Sequence, residues 1–96
     1  MELYIFARFY AREGSEGAVE EALQAVLKPS RGEPGCLAIH AFRSTRDDRL
    51  FHIHSRWTNE AAFENHATLT HTAQFVERME KLTDHPLDVT RSNLIG

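Results

Sequence analysis

The sequence predicts a single α+β domain in which an antiparallel sheet is backed by helices, in the order β-α-β-β-α-β. Three observations predict it. Residues 2–12 alternate as a strand, and residues 16–28 carry apolar side chains at helical spacing. Two further strand-like runs, 36–44 and 50–57, flank a short polar turn.

In the opening strand Leu3, Ile5, Ala7 and Phe9 point one way, and Tyr4, Phe6, Arg8 and Tyr10 the other. Both sets are largely apolar or aromatic, whereas a small antiparallel sheet usually leaves one face wet. The chain's own helices can cover one face. The other calls for a second subunit, so a homodimer is expected.

Gly14 ends the strand, and Ser15 is the expected N-cap of the first helix. Val19, Ala22, Leu23, Val26 and Leu27 form its apolar stripe. Glu16, Glu20 and Glu21 crowd its first half and Lys28 its end, as the helix dipole prefers; Pro29 is the expected stop. Residues 29–35, PSRGEPG, read as a connecting loop.

Cys36 to Ser44 follows as a strand, Thr45 to Asp48 as the turn, and Leu50 to Trp57 as the return strand of a hairpin. A short helix is expected from Asn59 to His66, capped by Thr58 or Asn59. A second runs from Thr70 to Leu82, with Phe75, Val76, Met79 and Leu82 on one stripe. Pro86 opens a last strand, Leu87 to Ile95. With its second helix broken in two, this is the ferredoxin-like plan.

Composition narrows the classes. The 96 residues make one domain, and a chain this small buries only about 60% of its unfolded surface, so a partner subunit benefits it. Hydrophobic residues at 42% and charged ones at 26% describe a globular chain. The net charge of −3, with no basic run, argues against nucleic acid and anionic membrane as partners. A lone cysteine, Cys36, excludes an internal disulfide and fits the cytoplasm; it reads as a small buried residue rather than a nucleophile. The opening residues, broken by Arg8 and Arg12, do not read as a secretory signal, and no apolar run approaches membrane-spanning length.

The chain resembles the antibiotic biosynthesis monooxygenase domain family, a dimeric α+β barrel group that includes quinol monooxygenases. The resemblance covers nearly the whole chain. It rests on the first strand running into Arg12–Gly17, then on Glu33-Pro34-Gly35-Cys36-Leu37, Arg56-Trp57, Ala62-Phe63, His66, His71 and Phe75. It implies a homodimer with facing sheets and, in each subunit, a pocket between sheet and helices. It also implies oxygenation with neither metal nor flavin: a base deprotonates an electron-rich phenol or anthrone, and the carbanion reduces O2 directly.

Departures from the family's pattern bear on substrate. Ser55 stands where many relatives carry glutamate, and Leu69-Thr70 where many carry Ser/Thr-Pro. The positions aligned with those used by haem-degrading relatives are Ala7, His66 and Val76, so haem degradation is not expected.

Candidate chemistry centres on residues 57–79. His71 lies in the first turn of its helix, where the positive dipole end disfavours imidazolium and favours a neutral base. It is the first candidate base, and His66 the second, with positioning of substrate as its other role. Either histidine could instead brace the helix break by hydrogen bonding. Trp57, Ser55, Phe63, Phe75 and Ala7 are the expected substrate contacts, Ser55 to hold an anion and Trp57 either to stack on substrate or to anchor the core.

Phe51, Ile53, Ser55 and Trp57 share the expected pocket face, while His52, His54 and Arg56 face a partner. His52 and His54, with His40 on the neighbouring strand, could make a three-nitrogen metal site. No carboxylate falls at convincing ligand spacing, and no metal or cofactor is assigned. His85 reads as a surface loop residue. Arg8, Arg43 and Arg56 could hold an anionic oxygen or form salt bridges between subunits. The alternatives to a monooxygenase are a small-molecule isomerase of the same fold and a non-catalytic ligand-binding dimer.

Overall fold

The computed structural model describes all residues from Met1 to Gly96. The elements are β1 (Leu3–Tyr10), α1 (Glu16–Arg31), β2 (Cys36–Arg43), β3 (Leu50–Trp57), α2 (Glu60–Thr68), α3 (Thr70–Leu82) and β4 (Asp88–Ser92). The four strands form one antiparallel sheet in the order β2-β3-β1-β4. This is the ferredoxin-like order, with the second helical segment divided at Leu69.

Strand alternation fixes the layers. Leu3, Ile5, Ala7 and Phe9 of β1 and Phe51, Ile53, Ser55 and Trp57 of β3 are all buried beneath the helices. Pairing of Ile39 with Ser55 and of Ala41 with Ile53 sets Ile39 and Ala41 on that same inner face. His40 and Phe42 therefore lie outward beside His54 and His52, with Phe6 and Arg8 next to them on β1. Helix α1 adds Val19, Ala22, Leu23 and Val26, and α3 adds Met79, to the main core. A smaller cluster of Leu3, Ile5 and Trp57 closes the other end.

Several local boundaries differ from the sequence reading. Pro29 does not stop α1; the helix runs on to Arg31, because Gly32 and Glu33 amides close its last turn on the carbonyls of Pro29 and Ser30. A proline this near the end forfeits one backbone bond rather than the helix. Ser15 precedes α1 without a side-chain cap bond; its carbonyl takes the Val19 amide instead. Asn59 is the working cap of α2, its side chain accepting from the Ala62 amide at 2.9 Å, and α2 extends past His66 to Thr68. The last strand is Asp88–Ser92 rather than Leu87–Ile95: it pairs with Tyr4 to Arg8 of β1 and leaves the edge of the sheet before β1 itself ends.

The linker into β2 is held by Gly35. Its φ of +86° suits glycine, and a Cβ there would lie 2.6 Å from Ala62 Cβ and 2.9 Å from Thr58 Oγ1. The close approach presses the Glu33–Gly35 loop against the start of α2. No helix is long and apolar enough to cross a membrane.

Candidate functional site

Three segments distant in sequence meet at Glu33. Its carboxylate, only 6% exposed, accepts from Nδ1 of His66 at 2.8 Å and from Nε2 of His71 at 2.6 Å, both at Oε2. Oε1 lies 3.0 Å from the same His66 nitrogen. Residue 33 reaches this point because the α1 terminus and Gly35 fold its loop under α2. His66 comes from the last turns of α2 and His71 from the first turn of α3, so the break at Leu69 turns both imidazoles toward one carboxylate. With Glu33 ionised, both imidazoles can donate to it while neutral. The Nδ1–H form of His66 then leaves Nε2 with a free lone pair.

His66 is braced on its ring faces as well. Trp57 packs against it with centroids 4.6 Å apart and Phe63 with centroids 5.8 Å apart. Thr72 Oγ1 stands 3.4 Å from its Nδ1.

Beneath these helices lies a mostly apolar cavity of about 280 Å³. Its floor is the inner sheet face, including Ile5, Ala7, Ile53 and Ser55, and its roof includes Phe63, His66, Thr72, Phe75 and Val76. Leu87 and Val89 line it too and remain 44% and 42% exposed, so its mouth lies along the β4 edge. Of the residues singled out from sequence, Ser55, Phe63, Phe75, Ala7 and His66 border this space.

Trp57 and His71 do not. Trp57 is fully buried, and its indole N–H donates to Ser55 Oγ at 2.9 Å. His71 lines a separate cleft between α1 and α3 with Ala22 and Gln74. Ser55 has thus taken an N–H as acceptor and keeps its own hydroxyl proton to donate. Ser30 also lines the cavity, fully buried and with no partner for its hydroxyl.

The outward histidines form no such constellation. His54 Nδ1 meets the Ile5 carbonyl oxygen at 3.1 Å, and its ring stacks on Phe6 at 4.6 Å. The three groups whose ligand atoms converge are Glu33, His66 and His71, all within 4.8 Å of one another. Glu33 reaches these two histidines through the fold rather than through local spacing. Arg8, Arg43 and Arg56 lie outside the cavity and pair with Asp88, Glu20 and Glu2. His85 is an exposed loop residue bonded to Asp84 at 2.6 Å. Cys36 is half-buried, and burial followed by the negative charge of Glu33 raises its thiol above the usual range.

Glu33 and Ser30 are the site residues that sequence reading missed. Glu33 stood in the Glu-Pro-Gly-Cys run, where its neighbours signalled a turn, and Ser30 in what read as loop.

Comparison with known proteins identifies the lineage. The family model described as antibiotic biosynthesis monooxygenase matches residues 3–78. The chain belongs to that family. Among its relatives, a Bacillus subtilis protein named "Putative monooxygenase YcnE" is 32% identical over 85% of this chain and 85% of its own length. The Synechocystis protein named "Uncharacterized protein sll1783" is 30% identical over 69% of this chain, and the match spans 45% of that relative's length. The structure of PA3566 from Pseudomonas aeruginosa superposes with a TM-score of 0.91 at 28% identity, covering 99% of this chain and 95% of that one. Rv0793 from Mycobacterium tuberculosis shares the fold with a TM-score of 0.94 at 22% identity, covering 100% and 97%.

Proposed function

We propose that the chain is a cofactor-independent monooxygenase that oxidises a small quinol- or anthrone-like aromatic with O2 in the cavity beneath α2 and α3. The observation that carries this reading is the Glu33–His66 pair at the wall of an apolar cavity. In this reading Nε2 of His66 removes the substrate proton. Glu33, bonded at Nδ1, steadies the imidazolium that forms, as an orienting carboxylate does in other acid–base dyads. The carbanion then passes one electron to O2, and the radical pair joins as a carbon-bound peroxide that takes the proton back from the imidazolium. O–O cleavage with loss of water leaves one oxygen on the substrate as a carbonyl.

The substrate's anionic oxygen would be held by the free hydroxyl protons of Ser55 and Ser30, in a site where low polarity strengthens such bonds. Phe63 and Phe75 give the aromatic body its walls, and Ala7 leaves floor space. Trp57 orients Ser55 and supports His66 from behind. His71 steadies Glu33 from the side away from substrate.

The same reading includes a homodimer. It is supported by the outer sheet face, where Phe6 and Phe42 are 51% and 52% exposed, a surface that a second sheet would cover. A cytoplasmic setting goes with it, supported by the lone cysteine.

The test is O2 uptake with a panel of hydroquinones and anthrones, wild type beside His66→Ala. Uptake by wild type and a fall of about 10²- to 10⁴-fold in the variant are expected. Turnover without O2 consumption would replace this reading with an isomerase. Equal rates in the two proteins would remove His66 from the mechanism.

A further inference from the structure

The cluster that orients His66 has a second chemical capacity. Two imidazole nitrogens and a carboxylate, supplied by three separate segments, converge within 4.8 Å of one another. This is a donor set suited to zinc, in which three protein ligands leave a fourth position for water. We propose that Glu33, His66 and His71 form a Zn2+ site, and that zinc held there silences the cavity-side nitrogen of His66.

The geometry is close to what the ion needs. Both ring nitrogens now sit 2.6 and 2.8 Å from Oε2, bonded through protons. Zinc bonds of about 2.0–2.2 Å would set tetrahedral ligands about 3.3 Å apart, so the two nitrogens must draw back from Oε2 by about 0.5 to 0.7 Å. His71 can supply most of that movement: its side chain is 29% exposed, against 12% for His66 and 6% for Glu33. His71, partly exposed at the cleft between α1 and α3, leaves the fourth position open to a water. One carboxylate offsets part of the dication's charge, as in other sites with two histidines and one glutamate.

The consequence for the imidazole follows from its two nitrogens. In the metal-free cluster Nδ1 of His66 carries the proton bonded to Glu33. Zinc needs that nitrogen's lone pair, so the neutral ring must carry its proton on Nε2 instead. The atom that served as acceptor in the cavity becomes a donor. The inhibitory half of the proposal rests on His66 as the base; the binding half does not.

The test is calorimetric titration of zinc sulfate into the full chain after chelator treatment, beside His66→Gln, His71→Gln and the outer-face double variant His52→Gln/His54→Gln. One zinc per chain is expected in wild type and in the outer-face variant, with affinity lowered about 10-fold or more in each site variant. Long-range proton–nitrogen NMR in the same titration should show the His66 ring proton moving from Nδ1 to Nε2. Circular dichroism checks folding, and His71→Gln, at a partly exposed ring, keeps the comparison available if His66→Gln unfolds. The assignment is overturned by the absence of stoichiometric binding, by binding undiminished in His71→Gln, or by a His66 proton that stays on Nδ1. Binding is measured with no substrate present, so its failure leaves the base reading standing, and a failure of O2 uptake leaves the zinc result standing.

Discussion

Trp57 donates its indole N–H to Ser55 Oγ across 2.9 Å, both side chains on the inward face of β3. The same indole lies flank to flank with His66. Of the two roles the sequence allows Trp57, substrate platform or core anchor, its full burial fits the second. Trp57→Phe removes the donor to a buried hydroxyl and leaves a void where the larger ring stood. A stability loss of about 2–4 kcal/mol is expected, read as a lower urea midpoint with an unchanged slope.

Gly35 sets how closely the Glu33 loop approaches α2. Gly35→Ala forces a left-handed φ on alanine and drives its Cβ into Ala62, with which it would be 2.6 Å apart. The expected cost is about 1–3 kcal/mol, visible as a lower thermal midpoint. An unchanged midpoint would mean that the loop has another way to seat Glu33.

Cys36 reports the charge of Glu33. Its thiol is raised first by burial and then by that carboxylate. The folded state therefore keeps the thiol proton at pH values where the unfolded chain has begun to lose it. Any stability this contributes is fully present below the ordinary thiol range and is lost as pH rises through the folded value. In alkylation by iodoacetamide at increasing pH, the folded protein should begin to react at a higher pH than the urea-unfolded chain, and Glu33→Gln should move that onset downward. An onset unaffected by Glu33→Gln would contradict the proximity of the two groups.

The outer sheet face makes a separate prediction. Phe6 stacks on His54 and stays half exposed, opposite the helices. If a second copy covers this face, Phe6→Asp should yield monomers by sedimentation at micromolar concentration where wild type is dimeric. A monomeric wild type would remove the dimer from the proposed function.

Most of the fold was legible because its signals are local. Alternation in Leu3–Phe9 and Phe51–Trp57 assigns inner and outer faces residue by residue, and the Val19–Val26 stripe marks the buried side of α1. The limits of β4 were not local, since an edge strand is held by one neighbour only and its extent is set by pairing with Tyr4 to Arg8 of β1. The site was half legible. His66, Ser55, Phe63, Phe75 and Ala7 could be named, because a histidine at a helix break and side chains on one strand face are visible in order. Their carboxylate partner could not: nothing near Glu33 foretells a histidine more than thirty residues away. His71 reads as the first candidate base from its helix-end position alone, and the chain path that turns it into another cleft leaves no trace in spacing.

The most direct test of the central claim is the tautomer of His66 in the metal-free protein, read by long-range proton–nitrogen NMR near neutral pH. A proton on Nδ1 and a bare Nε2 are expected in wild type, with that preference weakened in Glu33→Gln. A proton on Nε2 in wild type, or a tautomer indifferent to the glutamate, would contradict it.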